Sequence, residues 1–332
     1  MEAEVRAIDL GYGRVKLAKG EDRDGAAILD VFPSIVARAQ GNLGEGYARQ
    51  RNTVKVEYKG LIYEVGQDAI LSTETSSVRK ADLRFVYSDD YRILMRASIM
   101  KMALSRIRVL VLGAPVMNYG EVKEYLGKQY RGVIDLGNGA SSVHVDDVMV
   151  LPQPIGGFIH YGKTNGIYER MKNEVTLVID PGYYTLDWVV TRGLKPVPGK
   201  SGSHPGGMHS VLRAIANVFA NHGVTNPHDL FFYDKIDRAI YAGERFTLFG
   251  KDYDLLQHAE VAQRVIENGM NALTASVGDP GNIDNIVLVG GAAKAYLSSL
   301  RRHFDKHEMH LVDNPAFANV AGFYEAGVEA IS

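Results

Sequence analysis

The chain has 332 residues, 46% of them hydrophobic and 23% charged, a composition typical of folded globular proteins and unlike that of disordered ones. This length exceeds the usual domain size of roughly 100 to 200 residues and predicts two lobes, with the cleft between them as the expected ligand site. The net charge of -2 argues against direct DNA binding, and the absence of cysteine excludes disulfides, thiolate zinc sites and cysteine nucleophiles.

Two further absences bear on where the protein works. No segment approaches the roughly 18 to 20 apolar residues that span a membrane. The N-terminal MEAEVRAID also lacks the apolar core of a signal peptide. We therefore expect a cytoplasmic protein without a membrane partner.

The first predicted element is a hairpin. An apolar strand from about Val5 runs into the acidic glycine turn IDLGYG, and VKLAKG continues as the returning strand. The region of about 34–90 that follows is predicted to be a small insertion, with a second hairpin that turns at Lys59 and Gly60.

A helix and a core strand come next. The segment from Asp89 has apolar residues at helical spacing behind an acidic start, and VLVLGAP has the apolar run of a buried strand. A third hairpin is predicted around the Gly-Asn-Gly sequence at 137–139, and a helical stretch from about Phe158.

The second half begins with the same pattern as the first half: a strand, an acidic glycine turn and a returning strand. IDPGYYTLD, from Ile179, lies between two apolar strand patterns, which indicates duplicate lobes. A glycine-rich loop, KSGSHPGGMHS, two helical stretches, the strand and turn VLVGGAA from Val287 and a final helix from about Asn314 complete the chain.

The first turn has the chemistry of a phosphate site. A phosphate needs several backbone N–H donors, and Gly11 and Gly13 allow the backbone to approach it without a Cβ in the way. The carboxylate of Asp9 is compatible with a phosphate only through Mg²⁺, and the ammonium of Lys16 can neutralise a phosphate oxygen.

The turn after Asp180 offers similar chemistry, with Gly182, the hydroxyl of Thr185 and a second carboxylate, Asp187. Either turn alone is weak evidence, because an Asp-x-Gly turn is most often only a turn. Together they favour a phosphate held from two sides.

The third acidic glycine turn, at Asp135, is predicted to be a plain hairpin. It has no nearby lysine, and Asp146 and Asp147 lie too far along the returning strand to share its apex.

A strand that ends in Gly290 and Gly291 and leads into a helix predicts a nucleoside contact, since bare backbone can lie flat on the base. The chain has neither the Walker lysine spacing nor G-x-G-x-x-G, which disfavours a P-loop and a Rossmann site.

These three motifs, IDLGYGRVK, IDPGYYTLD and VLVGGAA, resemble in order and separation the two phosphate motifs and the adenosine motif of the actin-like ATPases. VFPS after the first hairpin, LGAPV at Leu112 and VLPQPIGG at Val150 make the chain most similar to the ParM and StbA group of bacterial plasmid-segregation actins.

The resemblance implies an α/β, two-lobed actin-like (ribonuclease H-like) fold, with mixed sheets flanked by helices and a nucleotide cleft between the lobes. The expected boundaries are 1–160 for lobe I, 161–310 for lobe II and 311–332 for a C-terminal helix that returns to lobe I. It also implies ATP or ADP with Mg²⁺ as cofactors, self-assembly into filaments and a DNA-binding adaptor protein as partner.

Carried over by position, the resemblance implies that Asp9 and Asp180 face Mg²⁺, largely through its waters. The residues expected to contact the nucleotide are Gly11, Tyr12, Gly13, Lys16, Gly182, Tyr183, Tyr184, Thr185, Gly206, Gly207, Gly290, Gly291 and Ala292. Ala292 stands where many relatives have a third glycine.

Gln153 falls where the family places the residue that orients the attacking water, a position at which ParM has an acid. An amide can position water but cannot accept a full proton, and general-base help contributes typically about 10² to 10⁴ in rate. We therefore expect slow ATP hydrolysis, with Gln153, Asp180 and Asp9 as the catalytic residues.

Two alternatives stay open. A sugar or acetate kinase of the same superfamily shares the phosphate turns but needs a catalytic acid for its acceptor hydroxyl. A non-plasmid prokaryotic actin, either archaeal or of the MreB type, would share the nucleotide chemistry but not the role in plasmid segregation.

Overall fold

The computed structural model describes residues 2–39, 51–73, 84–137, 139 and 142–332. In its first half the regular elements are β1 Glu2–Leu10, β2 Arg14–Glu21, β3 Ala27–Pro33, β4 Val36–Arg38, β5 Val54–Tyr58, β6 Leu61–Val65, α1 Asp89–Met102, β7 Arg106–Ala114, α2 Tyr119–Tyr130, β8 Gly132–Ile134, β9 Val143–Pro152 and α3 Gln153–Thr164.

The first sheet has the strand order β3-β2-β1-β7-β9-β8. β1 and β2 are the antiparallel arms of the predicted first hairpin, and β1, β7 and β9 run parallel. Alternation along the central strands divides the two faces, because successive side chains point to opposite sides. Ile8 and Leu110 face the core under α1, whereas Val5, Val109 and Val111 face the C-terminal helix.

The predicted insertion forms a small antiparallel sheet of order β4-β6-β5 that packs against α1. Its hairpin turns at Lys59 and Gly60, as predicted, and both residues have positive φ, at 53° and 74°. This is the conformation of a two-residue hairpin turn whose twist matches that of the strands.

The second half contains α4 Tyr168–Met171, β10 Val175–Pro181, β11 Leu186–Arg192, β12 Lys195–Pro196, β13 Gly202–His204, α5 Met208–Ala220, α6 Leu230–Ala242, β14 Thr247–Leu248, β15 Lys251–Asp252, α7 Ala259–Val277, β16 Asn285–Leu288, α8 Ala293–His303, β17 Met309–Leu311 and α9 Ala318–Ile331.

The second sheet repeats the topology of the first. Its order is β12-β11-β10-β16-β17, with β13 paired to β11. β10 and β11 form an antiparallel hairpin, and β10, β16 and β17 run parallel, as β1, β7 and β9 do. In each half a helix follows the third of these parallel strands, α3 after β9 and α9 after β17. The duplication indicated by the two turns is therefore a repeat of five strands, β3-β2-β1-β7-β9 in the first sheet and β12-β11-β10-β16-β17 in the second.

The two halves meet along α3 and α9. Phe158 and Ile159 of α3 pack on Val178 and Val287 of the second sheet, whereas α9 packs on β1, β2 and β7 of the first. Each of these helices therefore lies between the sheets.

The crossing of α3 and α9 is a contact of backbone with backbone. A Cβ added to Gly322 would lie 1.8 Å from the carbonyl oxygen of Gly156, and one added to Gly156 would lie 2.3 Å from the carbonyl oxygen of Asn319. Sequence reasoning placed the start of this helical stretch near Phe158, but α3 begins at Gln153. The glycines that weaken the local helical pattern are required by this distant contact.

Candidate functional site

The first acidic turn is held by Ser34. The turn closes with Gly11 N–H donating to the carbonyl of Arg14 at 3.2 Å. Ser34 donates its hydroxyl to the carbonyl of Gly11 at 2.6 Å and its N–H to the carbonyl of Gly13 at 3.0 Å. Because the N–H and C=O of a trans peptide point in opposite directions, the N–H groups of Tyr12 and Arg14 are directed away from Ser34.

The second turn repeats this geometry. Gly182 N–H donates to the carbonyl of Thr185 at 2.8 Å, in the position that Gly11 and Arg14 occupy in the first turn. A Cβ added to Gly11 or to Gly182 would lie 3.2 Å from the acceptor oxygen of its own turn. The two turns are therefore equivalent in backbone as well as in sequence.

The start of α5 orients the second turn. Three consecutive carbonyls of the turn accept backbone hydrogen bonds, from Met208 N to Gly182 O (3.1 Å), His209 N to Tyr183 O (2.6 Å) and Gly207 N to Tyr184 O (2.9 Å). The three N–H groups that follow these carbonyls in the chain point away from α5. A row of such N–H groups is the arrangement that binds anions.

The two turns touch each other through aromatic rings. Tyr12 of the first turn lies with its ring centroid 4.8 Å from that of Tyr184 and 4.9 Å from that of Phe85. A Cβ on Gly13 would lie 2.6 Å from Cγ of Tyr183. The structure thus brings the predicted residues of both turns together.

Asp9 is held from two sides. It is 1% exposed, and its Oδ2 accepts from Nζ of Lys16 at 2.8 Å while its Oδ1 accepts from Nε2 of Gln153 at 2.8 Å. Gln153 is the first residue of α3, and this position brings its side chain to the end of β1. The sequence separation between the two partners is 144 residues.

Asp180 is the second buried acid, at 6% exposure, and its Oδ2 accepts from Nδ2 of Asn319 at 2.6 Å. The pKa of Asp180 is raised to about 7, mainly by burial; the charge of Lys16 opposes this rise, and the charges of Asp187 and Asp9 add to it. Burial alone would lower the pKa of Lys16, but Asp9 and Asp180 together raise it above its usual value. Lys16 is therefore the cation that both acids share.

Asp187 lies directly across the second hairpin from Asp180. Its Oδ2 accepts from Oγ1 of Thr185 at 2.5 Å. Burial raises the pKa of Asp187, against the opposing hydrogen bonds of Ser203 and Thr185. Thr185 thus braces the turn through Asp187.

The turn after β16 lies directly on Asp180. Gly290 has a φ of 91°, and a Cβ there would lie 2.2 Å from Oδ1 of Asp180, so only glycine fits. Gly291 is exposed with open space where a Cβ would stand, whereas Ala292 is buried in the core of the second half. The methyl group of Ala292 therefore packs inward.

The glycine-rich loop packs on the second turn from behind. Gly206 is buried, and its carbonyl accepts a hydrogen bond from the hydroxyl of Tyr296. The backbone N–H of Gly207 donates a hydrogen bond to the carbonyl of Tyr184. These contacts hold the loop at the start of α5.

The Asp135 turn lies elsewhere. β8 and β9 pair at Ile134 and Val143, while Asp9 is level with the other end of β9, near Leu151. Eight residues of strand, about 26 Å, separate these two points. Oδ1 of Asp135 accepts from the N–H of Gly137 at 2.9 Å, and Asn138 lies outside the described residues.

Two family models match the chain. A model of the N-terminal domain of actin-like proteins matches residues 7–156, and a model of the C-terminal domain of MreB-like archaeal actin homologues matches residues 178–302. The chain belongs to the actin-like proteins. The predicted two-lobed actin-like fold is thereby confirmed, and solved structures agree with it.

Among similar structures are a ParM subunit of a 15-stranded filament from Clostridium botulinum and an archaeal actin homologue. The ParM subunit is 21% identical at a TM-score of 0.75, covering 99% of this chain and 100% of its own. The archaeal homologue is 18% identical at a TM-score of 0.75, covering 98% and 99%. Its complex with ADP matches at 17% identity and a TM-score of 0.72, with the same coverage. No curated protein matches the sequence.

The residues of this actin-like protein fit a nucleotide with a divalent cation. Two buried carboxylates and the partly buried ammonium of Lys16 lie where the turns meet, and the rows of N–H groups belong to the same turns. Hard oxygen ligands, with water completing the shell, are what Mg²⁺ prefers. Sequence reasoning missed Asn319 and the structural role of Ser34, because each acts on a distant segment.

A cavity of about 380 Å³ between α6 and the β14–β15 hairpin, lined by Phe231, Phe232 and Phe249, shares no residue with the acidic turns. None of the described helices has both the length and the apolarity needed to cross a membrane.

Proposed function

We propose that this protein binds ATP with Mg²⁺ between the two acidic turns, hydrolyses it slowly, and assembles into nucleotide-dependent filaments that segregate plasmid DNA through a DNA-binding adaptor. The observation that carries the proposal is the pair of equivalent turns, in contact with each other, that enclose Asp9, Lys16 and Asp180.

Within this proposal the two carboxylates hold the waters of Mg²⁺, and Lys16 binds a phosphate oxygen. The N–H groups of the first turn and those opposite α5 bind the remaining phosphate oxygens from the two lobes. Gly290 and Gly291 lie under the nucleoside, where the bare backbone of the exposed Gly291 allows close contact. Mg²⁺ would supply charge neutralisation for the triphosphate.

Gln153 orients the attacking water in this proposal. Its amide is held by Asp9 at 2.8 Å, so its position is fixed before the nucleotide arrives. An amide cannot accept the proton of the water, which supports slow turnover. Slow turnover suits a filament in which hydrolysis limits the lifetime of the assembled state.

Filament assembly and plasmid segregation rest on the family. The similar ParM structure is a filament, and the similar archaeal homologue binds ADP. We infer a cytoplasmic protein that assembles with itself and has no direct specific contact with DNA. A non-plasmid prokaryotic actin is the second candidate, because the archaeal homologue matches this fold as well as the ParM subunit does.

Sedimentation with ATP, ADP and a non-hydrolysable ATP analogue tests the proposal. Pelleting that depends on the triphosphate supports it; a protein that stays monomeric and phosphorylates a sugar or acetate would overturn it. ATPase assays supply a matched pair of variants. Asp180→Ala should abolish turnover, whereas Asp135→Ala, in the turn about 26 Å along the sheet, should leave it nearly unchanged.

The plasmid role needs its own test. A plasmid that carries this gene with its flanking DNA should be inherited more stably than one in which Asp180 is replaced by Ala. Equal inheritance of the two plasmids, with filaments still forming from the wild-type protein, would favour the non-plasmid actin.

A further inference from the structure

The repeat of the two sheets gives Gln153 a counterpart. α3 follows β9 and α9 follows β17, and these strands occupy the same place in their sheets. Gln153 is the first residue of α3, and Asn319 is the second residue of α9. Both residues carry a side-chain amide at the start of an equivalent helix.

The two amides bind equivalent acids. Nε2 of Gln153 donates to Asp9 of the first hairpin at 2.8 Å, and Nδ2 of Asn319 donates to Asp180 of the second hairpin at 2.6 Å. In each half, therefore, the helix after the third parallel strand supplies an amide to the carboxylate of its own turn.

Asn319 is fixed at both ends of its amide. Its Oδ1 accepts from the backbone N–H of Gly157 at 3.2 Å, and the residue is 3% exposed. Because the N–H of Gly157 can only donate, it must face Oδ1, which leaves Nδ2 for the carboxylate of Asp180. The orientation of the amide follows from its neighbours.

The carboxylate of Asp180 needs such a partner. Rotation about χ2 of an aspartate is soft, with broad minima, so burial by itself does not fix the direction of the two oxygens. The backbone of Gly290 closes one side of this carboxylate, against Oδ1. The hydrogen bond from Asn319 fixes the position of Oδ2. Because both oxygens belong to one planar carboxylate, it also fixes the direction of Oδ1.

We propose that Asn319 is a positioning residue for hydrolysis: its hydrogen bond from the C-terminal helix orients Asp180, and it has the same place in the second half as the hydrogen bond from Gln153 to Asp9 in the first. The inference rests on the proposed function and extends it to a residue outside the three sequence motifs. Asn319 acts through Asp180 and does not touch the nucleotide. Since it also binds Gly157 of α3, the direction of Asp180 is tied to the crossing of α3 and α9.

Asn319→Asp tests the hydrogen bond to Asp180 separately from the hydrogen bond with Gly157. The new carboxylate has the same shape; in its ionised form it still accepts from Gly157 but has no hydrogen to donate to Asp180. Asn285→Asp is the matched control, because Asn285 is likewise buried, at 5% exposure, and donates to a carboxylate, that of Glu174. Asn285 is the first residue of β16 and pairs with Thr176, at the opposite end of β10 from Asp180.

The readouts are the single-turnover rate of hydrolysis of bound ATP, the affinity for ATP with Mg²⁺, and the melting temperature. We expect Asn319→Asp to slow hydrolysis by about tenfold or more, the factor for losing one hydrogen bond to a charged group. The affinity should change by less than about threefold, and the melting temperature should fall no further than in Asn285→Asp. A purely structural role would lower stability and affinity together.

If Asn319→Asp hydrolyses ATP at the wild-type rate, or if Asn285→Asp loses as much of the hydrolysis rate, the role of Asn319 is overturned and the proposed function is not. If Asn319→Asp does not fold, Asn319→Ala removes the same donor and is judged by the same split between rate and affinity. A wild-type protein that binds no nucleotide would overturn the proposed function and this inference with it.

Discussion

The ring of Tyr183 lies on the backbone of Gly13, so that a Cβ on this glycine would stand 2.6 Å from Cγ and 2.7 Å from Cβ of the tyrosine. The two residues belong to different hairpins and to different sheets. Their contact is the point at which the two acidic turns meet, and it limits how far the turns can move towards each other.

Gly13→Ala should force the turns apart. The atoms that it meets are at the root of the tyrosine side chain and cannot swing away, and overpacking of this kind costs typically about 1 to 3 kcal/mol. We expect a corresponding loss of unfolding free energy in urea denaturation. Tyr183→Gly removes all three clashing atoms, so Gly13→Ala should cost less unfolding free energy in that background. An equal cost of Gly13→Ala with Tyr183 and with Gly at this position would contradict the contact.

The rings of Tyr12 and Tyr184 should be energetically coupled. Their centroids are 4.8 Å apart, and such pairs contribute about 0.5 to 1.5 kcal/mol beyond their buried area. A double-mutant cycle with leucine at each position, based on the unfolding free energies of the nucleotide-free proteins, should give a coupling energy in this range. A cycle that pairs Tyr12 with Tyr168, which packs on Phe158 instead, should give none.

The stability of the nucleotide-free protein should fall as the pH rises. The pKa of Asp180 is about 7 in the folded protein, against 3.8 ordinarily, so the folded state holds a proton that the unfolded chain has released. The contribution of Asp180 to the unfolding free energy therefore decreases with pH between these values and becomes level once Asp180 has ionised in the folded protein. From pH 5 to pH 8 this loss is about 3 kcal/mol.

Asp180→Asn should remove this part of the pH dependence. The stability of the variant relative to the wild-type protein, measured by urea denaturation, should rise by about 3 kcal/mol from pH 5 to pH 8. The comparison with the wild-type protein cancels the titration of the other groups. The same difference at both pH values would show that Asp180 is ionised throughout.

Gly322→Ala should disrupt the crossing of the two helices between the sheets. The added Cβ would lie 1.8 Å from the carbonyl oxygen of Gly156, a backbone atom that can move only with α3. We expect a loss of about 3 kcal/mol or more of unfolding free energy. Gly127→Ala in α2 is the control, since it has open space around it and should stabilise its helix by about 0.5 to 1 kcal/mol.

The hairpins were predictable because their signals are local. Strand patterns interrupted by an acidic glycine turn place Asp9 and Asp180, and the alternation around Lys59 and Gly60 places the hairpin of the insertion. α2 and α6 were not predicted, and α3 begins five residues before the expected Phe158. Gly156 and Gly157 weaken the helical pattern of α3, and both lie against Asn319 of α9.

The residue types within the acidic turns, and the repetition of the turns, follow from the sequence by itself, because hairpins and glycine turns are specified by neighbours along the chain. The family resemblance named Gln153, but the hydrogen bonds that complete the site across distant segments were decided only by the tertiary structure. Gln153 reaches Asp9 across 144 residues, and Asn319 reaches Asp180 across 139. A hydrogen bond between distant segments leaves no periodicity in the sequence, because it depends on how the sheets and the helices between them pack.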